Sequence, residues 1–202
     1  MGAQMAHRYA GYKPRFPRTR LWPNPAGAMP TEAPARRSYD APAGVLDLTL
    51  EPERLSVGMV NAICNWRLLL RNAGDTHVVG LRVASDLAAA HATLGEREQL
   101  GGPGAGARID TVSLLAPGQE VSLKGEWTLP LSEARVVFVA ERATILPLAR
   151  LRIVGAGIAP QRIAILIGVP AEEGGRVHPI DLESTRTVFR KLAARRIERA
   201  LD

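Results

Sequence analysis

The sequence predicts an all-β fold, an antiparallel β-sandwich of about eight or nine strands. Three observations carry this. The stretch Gln119–Leu129 alternates, with Val121, Leu123, Trp127 and Leu129 on odd positions around Gly125 and Glu120, Ser122, Lys124, Glu126 and Thr128 on even ones. A period of two places each set on one face of a pleated strand, the pattern of a strand half-buried over a core. Similar runs recur at spacings of roughly ten residues, bounded by turn formers, as in sandwiches. The 202 residues are 46% hydrophobic and 23% charged, a globular composition that can fill one such core.

The elements follow in order. Residues 1–43 hold seven prolines (Pro14, Pro17, Pro23, Pro25, Pro30, Pro34 and Pro42), which remove amide donors and bar helical angles in the residue before each. They predict an extended, disordered arm whose aromatics (Tyr9, Tyr12, Phe16, Trp22, Tyr39) sit among arginines. The sandwich is expected over 44–183. Leu46, Leu48 and Leu50 alternate with polar neighbours; Ala62, Cys64, Trp66, Leu68 and Leu70 form an unbroken even-numbered set. Asn72-Ala73-Gly74-Asp75 is a turn, and Val79, Leu81 and Val83 resume the alternation to complete a hairpin.

Residues 87–106 read either as a short helix or as a strand with a long edge excursion, with a glycine-rich loop at 101–106. Ile109, Val112 and Leu114 mark a strand before the Leu115-Ala116-Pro117-Gly118 turn. Further strands are expected at 135–140, 145–154, 162–167 and 178–182. Over 184–202, Val188, Phe189, Leu192, Ala193, Ile197, Ala200 and Leu201 recur at three- and four-residue steps between Arg190, Lys191, Arg195, Arg196 and Arg199. That spacing predicts a basic amphipathic helix, capped by Ser184 or Thr185.

The formal charge of +6 suggests an anionic partner until it is located. Residues 1–43 carry seven bases against two acids, 44–170 carry twelve of each, and 171–202 carry seven against six. The basicity is therefore assigned mainly to the arm. Cys64 is the sole cysteine, so no intrachain disulfide or multi-cysteine metal site can form. No apolar run approaches the roughly 18 residues of a membrane span, and no signal-peptide core follows the N-terminal bases. Read literally, the chain is cytoplasmic, provided Met1 is the true start.

The segments "LLLRNAGDTHVVGLRVASDL" and "LLAPGQEVSLKGEWTLP" resemble immunoglobulin-like modules of bacterial surface proteins, specifically the cell-adhesion-related domain found in bacteria. The resemblance covers roughly residues 45–168 and rests on the Asn72–Asp75 and Leu115–Gly118 turns. The span from Asn72 through "ILPLARLRI" to "IDLESTRTVFRKLAARRI" is also similar to a group of uncharacterised bacterial envelope proteins, in which a membrane-spanning stretch tends to precede the sandwich. The resemblance implies an immunoglobulin-like fold at the periplasmic side of the cell envelope. It implies no activity, because turn motifs mark a fold rather than a function.

No catalytic, cofactor-binding or metal site is predicted. Gly155-Ala156-Gly157 after a strand looks like the start of a dinucleotide fingerprint, but Pro160 stands where a third small residue is needed and a strand follows where a helix must begin. The loop at 101–106 lacks the Lys-Ser or Lys-Thr of a phosphate loop. His7, His77, His91 and His178 show no metal-ligand spacing. Cys64 lies on an apolar strand face, where burial raises a thiol's pKa. The pairs Glu51/Glu53, Glu96/Glu98 and Glu172/Glu173 fall in expected turns with nothing to shield one carboxylate. Ser56, Ser113, Ser122 and Ser132 lack nucleophile-elbow glycines.

The expected function is that of a non-catalytic interaction or structural module, with no cofactor and no small-molecule ligand, contacting another protein through a sheet edge, face or loop. The alternative is a scaffold held to nucleic acid or an anionic membrane by its basic arm and helix. An enzyme with a site in loops 87–106 and 141–144 is a third reading, and it requires a deep pocket with convergent polar groups.

Overall fold

The structure, a computed structural model, describes residues 45–171, 175–183 and 187–197. The arm at 1–43 lies outside the described residues. Seven long strands dominate: β1 (Leu46–Val57), β2 (Asn61–Asn72), β3 (Val78–Ala89), β4 (Arg108–Leu115), β5 (Glu120–Pro130), β8 (Pro147–Ala156) and β9 (Gln161–Pro170). Shorter ones are β6 (Val137–Val139), β7 (Arg142–Ile145), β10 (Val177–His178), β11 (Ile180–Asp181), β12 (Thr187–Phe189) and β13 (Ala193–Ile197). One short helix, α1 (Glu96–Leu100), interrupts them. Both alternatives for 87–106 are thus partly realised: β3 runs on to Ala89, and α1 lies within the excursion that follows.

Every pairing is antiparallel. The first sheet has the order β12-β1-β2-β5; the second has β4-β3-β8-β9, with β10 and β13 both on the far edge of β9; β6, β7 and β11 make a small third sheet. The alternation read from the sequence places Leu50, Leu55, Cys64, Trp66, Leu68 and Trp127 of the first sheet against Leu81, Val83, Leu151, Ile153, Ile163 and Ile167 of the second, in one buried cluster. Each large aliphatic side chain buried there contributes about 1.5–3 kcal/mol. The fold is an all-β sandwich.

The expected amphipathic helix is corrected. Thr187–Phe189 pair with β1, and Ala193–Ile197 pair with β9 from Gly168 to Ala164. The apolar residues do have helical spacing, but in proteins a helix takes most of its stability from tertiary packing rather than from propensity. Unpaired edges of β1 and β9 offer its backbone hydrogen bonds, while Phe189 and Leu192 reach the core. Tertiary pairing overrides the good helix propensity of Ala193-Ala194-Arg195-Arg196. Residues 184–186 and 198–202 of the expected helix lie outside the described residues.

The two turns that carry the sequence resemblance meet at one fully buried side chain. Asn72 Nδ2 donates to the Thr76 carbonyl at 2.7 Å and to the Leu115 carbonyl at 3.0 Å, and its Oδ1 accepts from Gly74 N at 3.1 Å. Its backbone completes the junction: Asn72 N donates to Gln119 O at 2.9 Å and Gly118 N donates to Asn72 O at 2.7 Å. Both N–H donors and the oxygen of this buried amide are engaged, and it ties the β2–β3 turn to the β4–β5 turn across the sandwich.

Candidate interaction surfaces and the committed cleft

The excursion from Ala90 to Ala107 arches over the outer face of the second sheet and encloses an open cleft of about 530 Å³. Asp86 and Arg150, at its floor, hold each other and the excursion. Asp86 on β3 lies directly across from Arg150 on β8. Arg150 Nε donates to Asp86 Oδ1 at 2.9 Å and Nη2 to Oδ2 at 2.5 Å, a bidentate pair, while Gly104 N donates to Oδ2 at 2.7 Å. Arg150 Nη1 donates to the Glu98 carbonyl at 3.3 Å. Gln99 accepts from His91 N and donates to Leu94 O. Asp86, Arg150 and Gln99 therefore pin the excursion to the sheet, while Glu98, Glu133 and Arg135 also line the cleft. A general base needs a free lone pair aimed at substrate, and Asp86 has both oxygens engaged.

Of the loops considered for an enzymatic site, 87–106 lines this cleft, whereas 142–145 is β7, paired with β6 and β11 elsewhere. Gly155 and Gly157 belong to the β8–β9 hairpin. A Cβ at Gly157 would lie 2.6 Å from the His77 carbonyl, and its φ of +93° is one that glycine adopts readily. Those glycines serve close backbone packing. The loop at 101–106 supplies Gly104 N to Asp86. His91 Nδ1 lies 2.8 Å from Thr93 Oγ1 at the excursion's start. Among the described residues no three His, Cys, Asp or Glu side chains converge as a metal site; His7 lies outside them.

Cys64 is fully buried on β2, directly across from Trp127, and burial pushes its pKa up to about 12. The carboxylate pairs differ from the turn assignment. Glu51 and Glu53 stand within β1, around a register shift between Pro52 and Arg54 that brings both toward Arg67, at 3.9 and 2.9 Å. Glu96 and Glu98 occupy the first turn of α1. Glu172 and Glu173 lie outside the described residues.

Among the described residues, two strands leave an edge unpaired on the same side of the sandwich, β5 in the first sheet and β4 in the second. The β5 edge is guarded: Arg108 Nη2 donates to the Lys124 carbonyl at 3.3 Å, and its guanidinium lies 5.7 Å from the Trp66 ring centre. A charged side chain laid across an edge blocks strand addition there. The β4 edge stays open, and its outer face exposes Ile109 (54%) and Leu114 (50%). Elsewhere, Phe138 is 73% exposed on β6, beside a two-residue turn in which Ala140 and Glu141 both have positive φ. Non-glycine residues seldom accept that geometry. Neither edge nor hairpin is marked in the sequence by more than an apolar residue on an otherwise polar face.

No family model matches the chain, and no curated protein matches it significantly. Among solved structures it is similar to the crystal structure from Bordetella pertussis assigned to ApaA, with 15% identity and a TM-score of 0.27, over 61% of this chain and 91% of that one. A likeness at that level carries no argument about what this chain does.

Proposed function

We propose that the chain is a non-catalytic, immunoglobulin-like module of the bacterial cell envelope that recruits a partner protein by strand addition at β4. The observation that carries the proposal is the open β4 edge, which offers unpaired backbone groups over eight residues while its neighbour β5 is shielded. The use of Asp86 and Arg150 in bonds that hold the excursion, rather than facing the 530 Å³ cleft as a free base and cation, favours a binding module over an enzyme. Strand order supports the immunoglobulin-like part. Lettered A to G, the seven long strands give A-B-E in one sheet and D-C-F-G in the other. The constant-type immunoglobulin arrangement, ABED against CFG, differs only in the sheet that the fourth strand joins. The envelope location rests on the sequence resemblance.

A photo-crosslinking residue placed at Leu114 in the full chain, in its own cells, tests the proposal against the same residue at Thr49 on the outer face of the first sheet. The expected result is a discrete protein adduct from position 114 only, which persists when residues 1–43 are deleted. Identical adducts from both positions, or loss of the adduct with the arm, refutes strand addition by the sandwich.

A further inference from the structure

On the outer face of the second sheet, Arg152 on β8 stands directly opposite Arg162 on β9. Directly opposed like charges destabilise a sheet, and their Cβ atoms are only about 4.5–5.5 Å apart. Arg82 joins them on the same face: it pairs with Val154, two residues along β8 from Arg152, a diagonal separation of about 7–8 Å. Among the described residues none of these three arginines has an ion-pair partner. The nearest carboxylate in the neighbouring row, Asp86, is held bidentately by Arg150 and by Gly104 N.

The arginine pair is also shaped. A cleft of about 280 Å³ is lined by Arg152, Pro160, Gln161 and Arg162. Gly102 of the excursion lies over the two stems, since a Cβ there would meet Arg162 Cδ at 3.9 Å and Arg152 Cβ at 4.0 Å. That excursion is pinned by Asp86, so it covers the aliphatic stems of both arginines. Two adjacent forks, with no ion-pair partner among the described residues, fit a multiply charged oxyanion better than a single carboxylate.

We propose that Arg152 and Arg162 form a binding cleft for a phosphate group, carried by a lipid headgroup or a free phosphate ester. The site lies in the interior of the second sheet, apart from the β4 edge, and does not depend on strand addition there.

The test is calorimetric titration of the full chain with inorganic pyrophosphate at low ionic strength, where surface charges are least screened. Three proteins are compared: the wild type, the double variant Arg152→Gln/Arg162→Gln, and Arg71→Gln/Lys124→Gln, which removes the same charge from the opposite sheet. The expected result is binding by wild type and control, and at least about tenfold weaker binding by the cleft variant, the loss of one charge-assisted contact or more. Without phosphate the cleft variant melts no lower than wild type, because the substitution relieves repulsion. Should it nonetheless fail to fold, Arg162→Lys, which keeps the charge and loses the fork, is expected to weaken binding as well.

Wild type that does not bind pyrophosphate, equal binding by the cleft variant, or equal loss in the control overturns the proposal. Co-sedimentation with phosphatidylglycerol vesicles then names the source. Vesicle binding that the cleft variant loses and pyrophosphate competes away assigns a lipid headgroup; pyrophosphate binding without that vesicle effect assigns a free ester.

Discussion

Replacing Asn72 by Asp changes one NH₂ group into an oxygen and tests the junction of the two turns directly. In the native chain Nδ2 donates to two carbonyl oxygens, at 2.7 and 3.0 Å. A carboxylate there would present a negative oxygen to both. The Leu115 bond is buried and the Thr76 and Gly74 bonds are part-buried. Leaving a buried carbonyl unpaired costs about 1–3 kcal/mol and each of the other two bonds about 1 kcal/mol, so Asn72→Ala is expected to lose roughly 4 kcal/mol. That is a large fraction of the 5–15 kcal/mol typical of a domain.

Asn72→Asp should lose at least as much at pH 7 but recover part of it in acid. A carboxyl group buried against carbonyl oxygens favours its protonated form, which can donate one of the two lost bonds, so its pKa is raised on folding. A group raised on folding stabilises fully below its unfolded value, near 3.9 for Asp, and loses that contribution as pH rises through the folded value. Urea unfolding followed by tryptophan fluorescence at several pH values measures this. The gap between Asn72→Asp and Asn72→Ala should shift in favour of Asp as pH falls toward 4. Parallel pH profiles for the two variants, or a loss under about 0.5 kcal/mol for either, would show that Asn72 does not join these turns.

Two further outcomes follow from the core. A Cβ at Gly125 would lie 2.7 Å from Trp66 Cζ2 and 3.0 Å from the Arg108 guanidinium, and Trp66 is held by stacking on Trp127 at 4.6 Å between ring centres. Overpacking of about 1–3 kcal/mol against a strand-propensity gain of about 0.5–1 kcal/mol leaves Gly125→Ala destabilised by about 1–2 kcal/mol, and less so in a Trp66→Phe background; urea midpoints of the four proteins in that cycle check it. The Cys64 thiol, pushed up to about 12, should resist thiol reagents at pH 8 until the chain unfolds. Because the unfolded thiol ionises near pH 9 and the folded one does not, stability falls by about 1.4 kcal/mol per pH unit from pH 9 toward 12, a slope that Cys64→Ala, compared with wild type, should remove.

What was legible in the sequence is what depends on neighbours in the chain. Ala62, Cys64, Trp66, Leu68 and Leu70 identify a buried face because a strand alternates whatever it pairs with. The turns at Asn72 and Pro117 are equally local. Illegible were contacts between residues far apart in sequence. Asp86 and Arg150 are 64 residues apart, and nothing about either marks it as the other's partner. The same limit explains the misread C-terminus. Val188, Phe189, Leu192, Ala193 and Ile197 satisfy helical spacing, yet they also satisfy two short strands separated by residues 190–192, and the choice lies with edges of β1 and β9 formed much earlier in the chain. Glu51 and Glu53 read as a turn pair because Pro52 sits between them; the strand accommodates that proline with a bulge.

Net charge misled for a related reason, since a sum discards position. Residues 44–170 balance at twelve bases and twelve acids, which suggests a neutral scaffold. On the outer face of the first sheet most charges interlace by register: Asp47 faces Arg71, which faces Glu120, and Glu51 faces Arg67, although Arg67 also faces Lys124. On the outer face of the second sheet Arg82, Arg150, Arg152 and Arg162, with Arg195 supplied by β13, outnumber Asp86 on the strands and Glu96 and Glu98 on the excursion above them. The sandwich is therefore polarised across its thickness, and the strand replacing the expected helix adds a base to the positive side. Fields from oppositely charged neighbours largely cancel within a few ångströms on the first sheet, whereas the excess of arginines on the second reinforces, which a net charge summed over the chain cannot reveal.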